Sequence, residues 1–291
     1  VATTGSPTAI KRWIAFTLKR LREQSGKSRQ ELAELLDCNI SHLSHLETGR
    51  NLPSALESDA LLDIYGVGDR KAAFRELLRS AKKGKDWWKT PVFKDAEPEW
   101  FDLYLGLEAW ARDVQSYDAL VVPGLFQTSD YARALITAAY PELTDTEVQR
   151  RVDLRMARQA ALDREPEPLR IWSVLDEAAL RRVVGGPAVM RTQLDRLVEL
   201  AGCPTITVQV LPATAGAHGG LDGTFTVLDF PLDLVGDPGT VYVQTRLRGA
   251  YYEEPAQIDE YRQALRRLQV QAIKPEDAPA FIARIAEEIG S

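Results

Sequence analysis

The stretch SRQELAELLDCNISHLSHLETGRNLPS, Ser28–Ser54, constrains the fold of this chain more than any other. Ser28 followed by Glu31 has the spacing of a capping box, in which hydroxyl and carboxylate each satisfy one backbone N–H at a helix start. The helix it opens is predicted to reach about Leu36 and to bury Leu32, Leu35 and Leu36. Asp37-Cys38 makes the turn, and Asn39 is a good N-cap for a helix over Ile40 to Glu47 with Leu43 and Leu46 inward. Gly49 stops that helix, and Pro53 with Ser54 opens another, to about Tyr65 before Gly66. Two short helices joined by a three-residue turn predict a helix-turn-helix.

The flanks extend this into a head. Ile10, Trp13, Ile14, Thr17, Leu18 and Leu21 recur at helical spacing, with Lys11, Arg12, Lys19, Arg20 and Arg22 mostly off the stripe and Gly26 as a left-handed cap. A fifth helix is predicted from Asp69 to about Lys83. Residues 10–84 are therefore expected to form an all-α, five-helix domain. Charge separates it from the rest: residues 11–90 hold 16 Lys+Arg against 11 Asp+Glu, and the remaining residues hold 20 against 31. A basic head on an acidic body suggests that only the head meets a polyanion. The third helix offers Ser41, His42, Ser44 and His45 outward. These side chains are small or polar, suited to a major groove that admits one helix and of little use for packing.

The same stretch resembles the Xre-type family of λ-repressor-like regulators, through Glu31-Leu32-Ala33, Glu47-Thr48-Gly49-Arg50 and Pro53-Ser54. The resemblance implies double-stranded DNA as a partner. It places Arg29 where the family puts a phosphate-contacting polar residue. Ile40, Ser41 and His45 fall where base edges are read, flanked by His42 and Ser44. Lys27 and Arg50 complete the expected DNA-binding set. Two positions depart from the pattern. Ile40 stands where glutamine is common; glutamine grips adenine bidentately, whereas isoleucine packs on a thymine methyl. The turn carries Cys38-Asn39 where Gly-Val-Ser is common. Operator half-sites pair with two-fold dimers, so a homodimer is expected. Cys38, His42 and His45 are spaced as zinc ligands on one helix face would be, but Cys38 precedes the N-cap and brings no fourth ligand. No metal and no cofactor are expected.

Residues 85–98, KDWWKTPVFKDAEP, break the helical rhythm. Their Trp87, Trp88 and Phe93 predict an ordered linker that docks its aromatics onto the body. The body, residues 99–291, is expected to be α+β. A helix runs through PEWFDLYLGLEAWARDVQSY, with Trp100, Leu103, Leu107, Trp110 and Val114 on one stripe. Helices capped by Thr128 or Ser129 and by Thr144 follow, then a strand LRIWSVLD, a short helix, and a helix from Pro187 to Ala201. TITVQVLP, GTFTVLDF and TVYVQTRL alternate as strands, and two helices close the chain. One small sheet of four strands is expected.

The body's LEAWARDVQSYDALVVPGLFQTSDYARAL, RVDLRMARQAAL, LDEAALRRVVGGPAVMRTQLDRL and VQVLPATAGAHGGLDGTFTVLDF resemble the C-terminal domain of actinobacterial Xre-type regulators of the WhiJ-like or Scr1-type antitoxin-like family. That resemblance implies transcriptional regulation and a small acidic partner protein encoded nearby; a small-molecule effector is the other expectation for the body. Pro123, Gly124 and Gln127 in VPGLFQT read as a pocket wall or as a buried corner. Gly216, His218 and Gly219 in the loop Pro212–Gly223 read as a backbone-lined rim or as a plain connection. Arg158 and Glu177 are polar anchors that either close such a pocket or pair within the core.

Catalysis is not expected. HGG at His218 has no accompanying Gly-x-Ser-x-Gly elbow, and neither a P-loop nor a His-Glu-x-x-His motif occurs. The start of the chain is too polar for a signal peptide and no apolar run would span a membrane, so a cytoplasmic location is expected. Cys38 and Cys203, in different domains, are expected to stay reduced. The sequence thus predicts a sequence-specific DNA-binding transcriptional regulator whose C-terminal domain senses a partner protein or ligand. The alternative is an antitoxin-like protein that sequesters a small neighbour and binds DNA to regulate itself.

Overall fold

The computed structural model describes residues 6–93, 95–231 and 237–290. It divides into two units, one holding the chain up to Lys89 together with Leu105–Trp110, the other Thr90–Tyr104 and the chain from Ala111 on.

In the first unit, α1 (Pro7–Gln24) starts on the Ser6 hydroxyl, which accepts the Ala9 N–H, and its predicted stripe from Ile10 to Leu21 is buried. It is followed by α2 (Arg29–Leu35), α3 (Ile40–Glu47), α4 (Ala55–Ile64) and α5 (Lys71–Lys83). Both predicted starts close reciprocally, Ser28 with Glu31 and Ser54 with Glu57. The bend between α2 and α3 is tight because Asp37 takes φ 48°, letting the Cys38 N–H reach the Ala33 carbonyl at 2.9 Å. Leu32, Leu43, Leu46, Leu61, Leu62, Phe74 and Leu77 fill the centre.

Two expectations about this unit are corrected. Leu35 is 59% exposed and Leu36 only half-buried, while Ala33 is buried. At 100° per residue, a helix packed on the edge between Leu32 and Ala33 turns Leu35 about 110° away. Trp87 and Trp88 belong to this unit and not to the body. Asp86 draws them in: buried, it accepts the Ser6 and Thr8 hydroxyls at 2.5 and 2.6 Å, at the start of α1. Trp88 is buried beside it, edge-on to Trp87.

The second unit begins with short 3₁₀ turns and the first turn of α6 (Asp102–Trp110), whose later residues count with the first unit. There follow β1 (Asp113–Asp118), α7 (Ser129–Ala139), α8 (Asp145–Arg158), β2 (Arg170–Asp176), α9 (Glu177–Arg181), α10 (Pro187–Ala201), β3 (Ile206–Leu211), β4 (Phe225–Asp229), β5 (Thr240–Gln244), β6 (Gly249–Tyr252), α11 (Pro255–Gln271) and α12 (Ala278–Gly290). Among the described residues the sheet has six strands, in the order β3-β2-β1-β4-β5-β6, not the four expected. β1 pairs in parallel with β2, and β2 with β3; β4, β5 and β6 continue antiparallel.

The two strands missed have plain causes. β1 lies inside the span read as one helix, because Val114 fell on the helical stripe; that helix ends at Trp110. β6 is the four-residue GAYY, too short to alternate visibly. On one face, Ile258, Leu265 and Leu268 of α11 pack against Tyr117, Val174, Leu211, Phe225, Val227 and Val241. α10 and α12 pack against each other and against β3.

Candidate nucleic-acid interface

α3 is fixed from both sides of its sequence. The Asn39 side chain accepts the Ser41 N–H at 2.8 Å, and Leu43, Leu46 and Glu47 face inward. Outward, Ile40 is 46% exposed. Ser41, Ser44, His45, Thr48 and Arg50 line an open recess of about 290 Å³. Within it His45 Nε2 lies 3.3 Å from Arg50 Nη1. Arg50 is placed from behind: Lys11 Nζ donates to its carbonyl at 3.1 Å. Gly49, at φ 68°, lets the chain turn against α1, where a Cβ would stand 3.5 Å from that of Ala15. The recess therefore presents hydroxyls, an imidazole and a guanidinium, with an apolar side chain at the helix start.

Of the DNA-binding residues expected, the structure brings together Ser41, Ser44, His45 and Arg50, with Ile40 on the same helix. Three are placed otherwise. His42 does not join the recess; its Nε2 meets Glu57 Oε1 at 2.5 Å, and Glu57 also accepts the Ser54 N–H that starts α4. It thus pins α3 to α4. Arg29 donates Nε to Glu47 Oε2 at 2.7 Å and is 40% exposed. Lys27 is half-buried, its carbonyl accepting from Arg22 Nη1 at 3.2 Å. With His42 on Glu57 and His45 on Arg50, the histidines do not converge on Cys38. Among the described residues no group of three His, Cys, Asp or Glu side chains could hold a metal.

Sequence reading missed the residue that organises this surface. The Glu47 side chain is only 3% exposed and is shared by two arginines, Arg22 of α1 at 2.6 Å and Arg29 of α2. Its hydrogen bond holds the Arg22 guanidinium above its usual pKa against the opposing effect of burial. The signal was present: an acid beside Leu46 and four residues after Leu43 lies on the inner face, where a charge needs a partner. Thr48, which lines the recess and donates its hydroxyl to the Ser44 carbonyl at 2.8 Å, was also missed.

The body's expected pocket residues fall in separate places. Pro123, Gly124 and Gln127 make a corner braced by hydrogen bonds at Gln127. Gln127 donates to the Val122 carbonyl at 2.6 Å and accepts Arg155 Nη1 at 2.9 Å, and Gln159 donates to the Gln127 carbonyl at 2.6 Å. The Arg158 guanidinium lies over the Phe101 and Tyr104 rings at 5.4 and 5.6 Å, against Gly124.

Glu177 pairs with Arg181 and accepts the Ala213 N–H at 2.8 Å, capping the start of the Pro212–Gly223 loop. That loop must cross from edge strand β3 past β2 and β1 to reach β4. His218 is therefore carried over β1 and β2, edge-on to Tyr117 at 5.7 Å, with Nε2 3.8 Å from Asp176 Oδ2. Asp176 also accepts the Tyr117 hydroxyl at 2.8 Å. Gly216 sits at φ 68°, and Gly219 lines a different cavity, of about 420 Å³, beside α11.

Residues 13–74 match the family described as Helix-turn-helix domain, which takes in the whole recess. Residues 101–284 match the family described as Domain of unknown function (DUF5753), more than half of the chain. No curated protein and no solved structure matches the chain. Among the described residues no helix is long and apolar enough to cross a membrane.

Proposed function

This chain belongs to the DUF5753 family and carries a DNA-binding helix-turn-helix domain ahead of it, and we propose that it is a regulator that reads duplex DNA sequence-specifically through α3. The observation that carries this is the recess of Ser41, Ser44, His45, Thr48 and Arg50, with Ile40 exposed on the same helix. Hydroxyls and imidazole suit base edges, the guanidinium suits a guanine edge or a phosphate, and Ile40 suits a thymine methyl. An inert helical hairpin would offer apolar packing surface here. The proposed partner is double-stranded DNA, bound by a homodimer on a two-fold operator.

Selection from a random duplex library at fixed moderate salt tests the reading. A defined consensus with two-fold symmetry is expected, and His45→Ala should alter that consensus. Recovery of unselected sequence, bound only through a salt-sensitive polyanion contact, would overturn it.

The body is proposed to sense a small partner protein or ligand. The resemblance to the WhiJ-like and Scr1-type antitoxin-like regulators supports the partner, and the 420 Å³ cavity beside α11 supports the ligand. Sequestration of a small neighbour, with autoregulatory DNA binding, is the second reading and rests on the resemblance alone. Co-purification with the product of the adjacent gene would support a protein partner, and its absence would favour a ligand sensor.

A further inference from the structure

The cavity beside α11 has a chemistry that the loop residues alone did not suggest. Three rings wall it: Phe225 at the start of β4, Tyr252 of β6 and Tyr261 of α11. Phe225 and Tyr261 have centroids 5.1 Å apart and planes at 57°; Tyr252 and Tyr261 are 5.3 Å apart at 43°. The tilted rings pack on one another in a row, Phe225 buried and Tyr252 and Tyr261 half-buried, and all three line the cavity. Two carboxylates line the same cavity, Asp222 from the glycine-rich loop and Glu260 from α11, both on exposed residues. Both act on the Tyr261 phenol: burial and a hydrogen bond with Tyr252 push it up to about 12, and the two negative charges add to the shift. Arg267 is the cation lining the cavity, six residues beyond Tyr261 and thus about 9 Å along the helix.

We propose that this cavity binds a small alkylated ammonium ion, held by the Phe225, Tyr252 and Tyr261 rings and neutralised by Asp222 and Glu260. The negative faces of aromatic rings attract a cation within about 6 Å of their centroids, and quaternary ammonium groups are recognised in this way. Carboxylates at the rim add charge without demanding the directional hydrogen bonds that an alkylated nitrogen lacks. A purely anionic ligand is disfavoured, because it would meet two carboxylates for one guanidinium. The proposal names a ligand class for the sensing role proposed above and rests on that reading only for its regulatory consequence.

Calorimetric titration of the full chain with choline, tetramethylammonium, the uncharged choline isostere 3,3-dimethylbutanol, and acetate tests it. Saturable one-to-one binding of both cations is expected, with the isostere weaker by about tenfold or more. Glu260→Gln, at an exposed position that leaves the core intact, should weaken choline several-fold, as should Asp222→Asn. Tyr252→Leu should weaken it about tenfold, and Arg267→Gln should leave it within twofold or tighten it.

Equal binding of the isostere, preferential binding of acetate, or insensitivity to both carboxylate variants would each overturn the proposal. DNA affinity measured with and without choline is a separate readout. Binding without an effect on DNA keeps the site and removes the sensing role; a DNA response to a different effector, with no cation binding, does the reverse.

Discussion

Glu47 in the last turn of α3 accepts Arg29 Nε of α2 at 2.7 Å, and its other oxygen takes Arg22 Nε of α1 at 2.6 Å. One buried carboxylate therefore sets the angle of the reading helix against the two helices behind it. Removing it takes from two guanidinium groups the carboxylate they share, one of them only 11% exposed. Glu47→Ala is expected to cost about 3 kcal/mol, the scale for breaking a buried ion pair from one side. Arg29→Ala, at a 40% exposed partner, should cost about 1 kcal/mol or less. Urea unfolding followed by tryptophan fluorescence checks the order. Equal losses would mean that Glu47 does not organise the domain.

The two histidines of α3 should separate cleanly. His42 meets Glu57 and does not line the recess, whereas His45 lines it beside Arg50. His42→Ala is expected to lower stability by about 1 kcal/mol, for a charge-assisted hydrogen bond that is partly exposed. It should leave base preference unchanged. His45→Ala should be near neutral for stability and should flatten preference at one or two base pairs, by about tenfold each. Comparing thermal unfolding with binding to a panel of single-base operator variants resolves the pair.

Ile40 allows a test on the DNA instead of the protein. If its exposed side chain packs on a thymine methyl, replacing that thymine by uracil removes one methyl and little else. The wild-type chain should lose about fourfold in affinity, the worth of one buried methyl. Ile40→Ala should bind both duplexes alike. Equal sensitivity of the two proteins to the methyl would place Ile40 away from the groove.

Gly220 lies against the buried ring of Tyr117, where a Cβ would stand 2.4 Å from Cε1. The ring cannot retreat, because its hydroxyl is bonded to Asp176 and its edge meets His218. Gly220→Ala is expected to destabilise the body by about 1–3 kcal/mol, the range for overpacking. Gly219→Ala, whose Cβ would first meet Ala264 at 4.0 Å, should be tolerated. Denaturation midpoints of the two variants make the comparison.

The head was legible because its signals are local. A capping box, an N-cap or a glycine after a helix acts within a few residues, so Ser28, Asn39, Ser54 and Gly66 marked their ends almost to the residue. The Pro187–Ala201 helix was equally plain. What failed was decided at a distance. DVQSYD is a strand because β2 and β4 flank it, and nothing in its own alternation says so. Trp88 sits in the head because Asp86 finds the hydroxyls of Ser6 and Thr8, about eighty residues earlier. His42 left the groove-facing set for Glu57, and Arg29 is tied to Glu47; both partners lie more than fourteen residues away. The aromatic cavity joins a loop, three strands and a helix, so spacing along the chain could not announce it.

Asp118, at the end of β1, is buried and accepts the Ser116 and Ser173 hydroxyls at 2.6 and 3.1 Å. Burial pushes its carboxyl from 3.8 up to about 6, the two hydroxyls opposing only in part. The folded chain therefore binds this proton more tightly than the unfolded chain does. The contribution to stability is full below about pH 4 and is lost as pH rises through about 6. A shift of this size corresponds to about 3 kcal/mol between pH 4 and pH 7, as an order of magnitude. Asp118→Asn keeps an acceptor for the serines and removes the titration. Relative to the wild-type chain, its stability should improve from pH 4 to pH 7 by about 2–3 kcal/mol. Urea denaturation of both proteins at pH 4, 5.5 and 7 measures the difference. A constant gap across that range would show that Asp118 titrates as it does in the unfolded chain.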